Sequence, residues 1–400
     1  MLAVRRARRI ASLRRAPLSN LRLYRVYSSF YFFYYCALGI LAPYFPLYLA
    51  SLGIDPARVA ILLALGPVSR LLFPALWGLW ADRVGHRRQI VLISLLGSSA
   101  VFALLLRADR FASVAGVLFA YGFLVAPAVP LVDGMVQEES DGRRLSYGPV
   151  RLWGSFGFIA STLAFGVLLD RIPAYGVLPG ILIASIAAFL SATRIPGGSA
   201  SPPHPRRSLR REVKRPEVLR FLLATTMMQA SHGAYYAYFS LHLDRHGFTR
   251  AEIGVYWTLA VAAEIVLMLF SARLLHMKGP DFWIPLSLGV AALRWLLLLA
   301  GVDPVLLALG QTLHAFSFGL FHVCAVDAAY RLFPPALRSS GQSLYNALTY
   351  GLGNLLGFLG CGALVGTLGL QGLFAVSSAM AAIGLLISLG MPRLGPAAGR

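Results

Sequence analysis

Acidic residues are scarce in this chain: 16 aspartates and glutamates stand against 36 lysines and arginines, a formal net charge of +20 over 400 residues. Charge of either sign is thin, at 13% of residues, where soluble domains carry about 25%. A soluble enzyme is excluded on that ground. Cysteine is nearly missing, and Cys36, Cys324 and Cys361 all fall inside apolar runs, where they act as small hydrophobes. Their spacing supports neither a disulfide nor a metal site. Also missing are a phosphate-binding glycine loop with its lysine and any nucleophile constellation. The reading therefore assigns no catalytic residue, no cofactor and no metal, and gives ATP hydrolysis no support.

What is abundant is apolar sequence. Hydrophobic residues make up 58% of the chain and the mean hydropathy is +0.69. Runs of about 20 apolar residues, enough to cross a bilayer, follow one another from Tyr24 to Met391 with short polar breaks. The 39 glycines and 23 prolines are tolerated in spanning helices, whose neighbours re-satisfy the freed backbone groups. Barrel strands would instead alternate apolar and polar residues. The expectation is an all-α polytopic membrane protein of about twelve helices, starting near Tyr24, Arg58, Gln89, Phe111, Pro149, Tyr175, Glu217, Ala251, Phe282, Pro304, Gly341 and Gln371.

The placement of the basic residues argues against nucleic acid as a partner and for the lipid bilayer. No acid occurs in the first 54 residues, which hold Arg5, Arg6, Arg8, Arg9, Arg14, Arg15, Arg22 and Arg25. A transit peptide is disfavoured because the first span follows with no small-residue cleavage site. Alternate loops then carry Arg83, Arg87 and Arg88, Arg143 and Arg144, the long central connection, Arg273 and Lys278, and Arg331 and Arg338. The opposite loops hold only Arg58, Arg107, Arg110, Arg171, Arg245 and Arg250. By the positive-inside rule both termini are cytoplasmic. The segment from Ser191 to Pro216, rich in proline, glycine and arginine, reads as a solvated linker; a charged hinge and an anionic-lipid contact both fit it. The expected organisation is a basic terminus (1–22), a six-helix bundle (23–193), a linker (194–216), a second six-helix bundle (217–391) and a tail (392–400).

A shift of 194 residues sets Gly39, Tyr44, Phe45, Leu47, Leu49 and Gly53 onto Gly233, Tyr238, Phe239, Leu241, Leu243 and Gly247. It also sets Asp133 onto Asp327, Arg144 onto Arg338 and Gly157 onto Gly351. With six spans per repeat, the halves are parallel and related by a pseudo-twofold along the membrane normal.

Between the second and third spans lie Gly78, Asp82, Arg83, Gly85, Arg87 and Arg88. A small residue lets helices touch, the acid can meet a cation or helix end, and the basic run holds the loop in the cytoplasm, so the set can bias one of two bundle arrangements. On this motif the chain resembles the major facilitator superfamily. Within it the chain is similar to the phenylpropionic acid permease group, and more distantly to the lactose permease and nucleoside proton symporters. Stretches 42–53, 147–158, 231–239, 313–322 and 341–353 carry that likeness. The resemblance implies two six-helix bundles around a central cavity and transport of a small solute by alternating access. In the second half the motif is degenerate, with only Gly279 kept.

An ionisable group at mid-bilayer costs at least about 2.5–3.5 kcal/mol, so each such residue is a functional candidate. Arg70, Asp133, Arg151, Tyr235 and Arg294 are the candidates for substrate; His232, Glu264, His314, His322 and Asp327 are those for proton coupling. The repeat matches Arg70 to Glu264, which suggests residues facing each other across the axis. Asp133 and Arg151, on adjacent antiparallel spans, can meet as acid and guanidinium. By resemblance to the lactose permease they and Gly154 and Gly157 mark a sugar site, and Glu264, Arg294 and His314 match its coupling residues; where that permease has a proton-carrying carboxylate this chain has Ser317. The expected function is proton-coupled symport of a small organic acid, aromatic first, across the inner membrane by a monomer; a sugar or nucleoside symporter, and a sensor or lipid-handling protein on the same fold, are the alternatives. The topology has a direct check: cysteines placed at positions 5, 210 and 400 are expected to label only from the cytoplasm, and those at 109 and 244 only from outside.

Overall fold

The computed structural model describes residues 20–84, 86–142, 144–197 and 209–395. Among them the chain is helical with no strand, as it must be where lipid offers the backbone no hydrogen bonds. The first half comprises α1 (Asn20–Ser51), α2 (Pro56–Val84), α3 (Arg87–Arg107), α4 (Phe111–Ser140), α5 (Tyr147–Leu169) and α6 (Ala174–Ala192). In the second half, α7 runs Pro216–Ser231 and continues as Gly233–Arg245, followed by α8 (Arg250–Met277), α9 (Pro280–Leu299) and α10 (Pro304–Leu332). The stretch Pro335–Ser388 turns back on itself at Gly369, whose φ of 66° only glycine adopts without strain; it forms α11 (335–368) and α12 (370–388).

Ten stretches are long and apolar enough to span a bilayer. Dividing Pro335–Ser388 at Gly369 and adding α7, whose two pieces are each too short by themselves, makes twelve crossings. The break in α7 is at His232, whose Nδ1 lies 2.8 Å from the carbonyl of Met228 and so occupies a group the interrupted helix leaves free. Helix starts follow local chemistry. Thr249 and Glu252 form a capping box on α8, Asp303 caps α10, and proline opens α7, α9 and α10.

The connections place both described ends on one face. Arg88 donates to the Thr193 carbonyl past the end of α6, Arg215 to the Leu332 carbonyl at the end of α10, and Arg331 to the carbonyls of Leu394 and Gly395. Within each half, helices close up on glycine. A Cβ at Gly39 would stand 2.5 Å from the carbonyl oxygen of Phe158, and one at Gly233, its repeat partner, 2.3 Å from the carbonyl carbon of Gly357.

The two halves meet on the face away from the termini. There the Tyr44 hydroxyl donates to the Thr162 carbonyl at 2.7 Å and reaches the Arg250 carbonyl at the start of α8 at 3.3 Å. Its repeat partner Tyr238 donates to the Pro56 carbonyl at the start of α2, 2.8 Å away. Pro56 and Arg250 are themselves 194 residues apart, so one contact is built twice across the pseudo-twofold. Gly166 and Gly254 make room for it: a Cβ there would lie 2.7 Å and 2.4 Å from the Tyr44 hydroxyl. Asp170 reinforces one side by accepting from the backbone of Arg250 and Ala251, at 2.7 and 3.1 Å. Each buried hydroxyl bond is worth about 1 kcal/mol, so the double change Tyr44→Phe with Tyr238→Phe is expected to shift this closed contact toward separation by about tenfold or more. Pulsed spin–spin distances between labels at positions 53 and 247 on that face check this; an unchanged distance distribution would refute it.

Candidate functional site

Below that contact the ionisable side chains gather in two groups, one in each half. On the first-half side, Asp133 of α4 accepts from the hydroxyl of Tyr31 and, at 3.2 Å, from that of Tyr147. Arg151 of α5 donates to the Tyr35 hydroxyl and lies over the rings of Tyr35 and Tyr31, 4.1 and 5.4 Å from their centroids. Gly154 permits this, since a Cβ there would stand 2.7 Å from the guanidinium and 2.9 Å from the Tyr35 ring. Asp133 and Arg151 thus share Tyr31, but among the described residues they make no direct ion pair.

On the second-half side the ionisable groups form a chain. The carboxylate of Glu264 in α8 is 2.7 Å from Nε2 of His314, and Nδ1 of His314 is 2.8 Å from the guanidinium of Arg294 in α9. An arginine can only donate, so Nδ1 accepts, and in a neutral imidazole Nε2 then carries the proton and donates it to Glu264. The remaining Arg294 donors meet the Gly310 carbonyl at 2.8 Å, Ser317 Oγ at 3.3 Å and Gln311 Oε1 at 3.5 Å. Arg294 is fully buried between the rings of Tyr235 and Trp295, at 4.4 and 4.3 Å, and Tyr235 also donates to Gln311 at 3.0 Å. Tyr235 and Arg294 are therefore enclosed in packed core. Ser317, where the carboxylate pattern fails, sits on a π-helical turn, Ala315–Leu320, and accepts from that arginine. Local widening of this kind frequently marks functional positions.

His232 packs edge-on against Trp295 and 5.7 Å from the His314 ring, with Nε2 buried and unbonded. His322 reaches the Tyr350 hydroxyl at 2.6 Å, on the second π-helical turn, Ala347–Gly353 of α11. Asp327 pairs with Arg331 one turn on along α10, at 2.7 Å, which is a local tie within one helix. Arg70 and Glu264, matched by the repeat, form no ion pair among the described residues. Arg70 is exposed at mid-span.

In the interhelical motif, Arg87 pairs with Glu138 at 2.6 Å and Arg88 bonds the end of α6, both within the first half. Gly78, Asp82 and Arg83 lie on the last turns of α2. Gly85 lies outside the described residues. Sequence reasoning missed Gln311, which holds Tyr235 and Arg294 together, and Gln229, which is fully buried. The signal existed: each is a polar residue inside an apolar span, and Gln229 stands at the repeat position of Tyr35.

The MFS_1 like family matches residues 24–376. A protein of Escherichia coli (strain K12) named probable 3-phenylpropionic acid transporter is 27% identical over 333 residues, 80% of this chain and 86% of its own length. The maltose permease of Geobacillus stearothermophilus is 27% identical over 333 residues, 82% and 84% of the two chains. Among solved structures, a variant of the nucleoside transporter NupG superposes with a TM-score of 0.84 at 16% identity, covering 92% of this chain and 99% of that one. That likeness shows the fold.

The buried chain of groups also makes a prediction about stability. Replacing Arg294 by methionine removes the donor that orients His314 and Gln311 and strands their buried acceptors. Breaking a buried charge array in this way costs about 3–5 kcal/mol, read as a marked fall in melting temperature of the purified protein. Arg58→Met, which removes an exposed pair with Asp55 at the start of α2, is expected to leave that temperature nearly unchanged.

Proposed function

As the chain belongs to the MFS_1-like family of the major facilitator superfamily and is a multi-pass membrane transporter of small solutes, we propose that it is a proton-coupled symporter of a small organic acid. The observation that carries the coupling is the Glu264–His314–Arg294 chain, with 2.7 and 2.8 Å links, buried in the second half. Ionised, Glu264 accepts from His314, which in turn accepts from Arg294. A proton on Glu264 removes the charge that strengthens this bond and leaves only a neutral carbonyl oxygen to accept it, so the hold on His314, and through it on Arg294, is loosened. Proton loading at one carboxylate is thereby converted into a rearrangement of α8, α9 and α10, the kind of local electrostatic event that biases a two-state fold.

The substrate class rests on the relative named for 3-phenylpropionic acid and on the grouping of Arg151 with the rings of Tyr31 and Tyr35 inside the first half. The halves rock against each other, with the paired tyrosine contact closing the outer face and both termini in the cytoplasm of the inner-membrane protein. The chain works as a monomer and has no enzymatic activity. A sugar or nucleoside substrate is the second reading. It is favoured by the maltose permease relative and by Asp133, whose two tyrosine partners form a hydroxyl-rich patch.

Reconstituted protein tests the coupling. A proton gradient is expected to drive accumulation of labelled 3-phenylpropionate in proteoliposomes, and Glu264→Gln is expected to abolish uphill accumulation while downhill exchange persists. Normal gradient-driven accumulation by that variant would remove Glu264 from the mechanism. A protein that binds solute but moves neither solute nor protons would be a sensor.

A further inference from the structure

Three arginines stand inside the membrane, and they differ in what they have left to give. Arg294 is fully buried and its donors are engaged by Gly310, His314, Ser317 and Gln311. Arg151 is held by the hydroxyl and ring of Tyr35. Arg70 is exposed, and no acid among the described residues lies within ion-pair distance of it.

Its direction follows from its neighbours. Ser69 packs on α4, with its Oγ 2.1 Å from where a Cβ of Gly122 would be, and Leu71 packs on α11 against Gly351, at 3.3 Å. Arg70 stands between these two contacts, so it points either to lipid or to the centre. Tyr34 and Tyr35 of α1, Tyr121 of α4 and Tyr350 of α11 are its neighbours. Leu72, about 200° round the helix from Arg70, is 52% exposed on the lipid side, which turns Arg70 to the centre. Four residues earlier, on the same face of α2, Gly66 has nothing within 4 Å of its Cβ position, so no neighbouring helix closes over this face. Gln229, buried, lies beside Tyr350.

We propose that Arg70 holds the carboxylate of an aromatic monoanion, whose ring lies among Tyr34, Tyr35, Tyr121 and Tyr350. This rests on the organic-acid reading and narrows it to one anchoring residue. A lone guanidinium inside a membrane protein calls for a partner, and a carboxylate supplies two parallel acceptors that match its fork. The tyrosines offer ring faces and edges to an aromatic group.

Binding of 3-phenylpropionate and of its uncharged analogue 3-phenylpropanamide, measured by calorimetry on purified protein, tests this. Wild-type protein is expected to prefer the acid, and Arg70→Gln to weaken the acid by about 10- to 100-fold while leaving the amide unchanged. Arg70→Lys, which keeps the charge but not the fork, is expected to fall between and serves as the test where Arg70→Gln does not fold. A folded Arg70 variant that keeps the wild-type preference, or one that loses acid and amide alike, overturns the proposal alone. Wild-type protein that binds neither probe overturns the organic-acid reading and this proposal with it.

Discussion

Hydrocarbon offers no hydrogen bonds, and every departure from a straight helix in this chain has to be compensated from within the protein. The structure shows how. Where α7 breaks at His232, the imidazole itself covers the Met228 carbonyl. At Gly369 the chain reverses at a residue that adopts positive φ without strain. The two π-helical turns carry Ser317 and Tyr350, side chains that also serve the ionisable clusters. Irregular backbone is thus concentrated where polar side chains already gather.

The same constraint governs how the halves associate. Lipid tails are as apolar as leucine, so burial of apolar surface cannot draw helices together as it does in water, and close approach and buried hydrogen bonds must do so. Gly166 and Gly254 let α5 and α8 come close enough for the Tyr44 hydroxyl to reach backbone carbonyls, and Tyr238 repeats the device on α2. A contact made of a few hydrogen bonds over small residues is weak enough to open.

Charge inside the membrane is the third expression of this constraint. Most ionisable groups near the centre are spoken for: Asp133 by two tyrosines, Arg151 by aromatic rings, Arg294 by four acceptors, Glu264 by His314. Such saturation makes the exceptions informative. Arg70 lies exposed at mid-span with no acid paired to it among the described residues, and that contrast sets it apart from the residues that hold the scaffold.

Sequence alone determined the helical membrane class, the approximate crossings, the parallel repeat and the family, because these follow from composition, span length and spacing along the chain. Even the turn glycines Gly53 and Gly247, paired by the repeat, both adopt positive φ, at 75° and 83°. Only the tertiary structure decided which charges meet. Asp133 and Arg151 looked like an ion pair on adjacent spans, yet tyrosines stand between them; Asp327, matched to Asp133 by the repeat, is tied to Arg331 on its own helix. Arg70 and Glu264 occupy equivalent positions without pairing. The physical reason is that a repeat fixes where a residue sits along a helix, whereas its partner depends on helix rotation and on which neighbouring residues are small enough to let another element approach. Those two quantities exist only once the helices are packed.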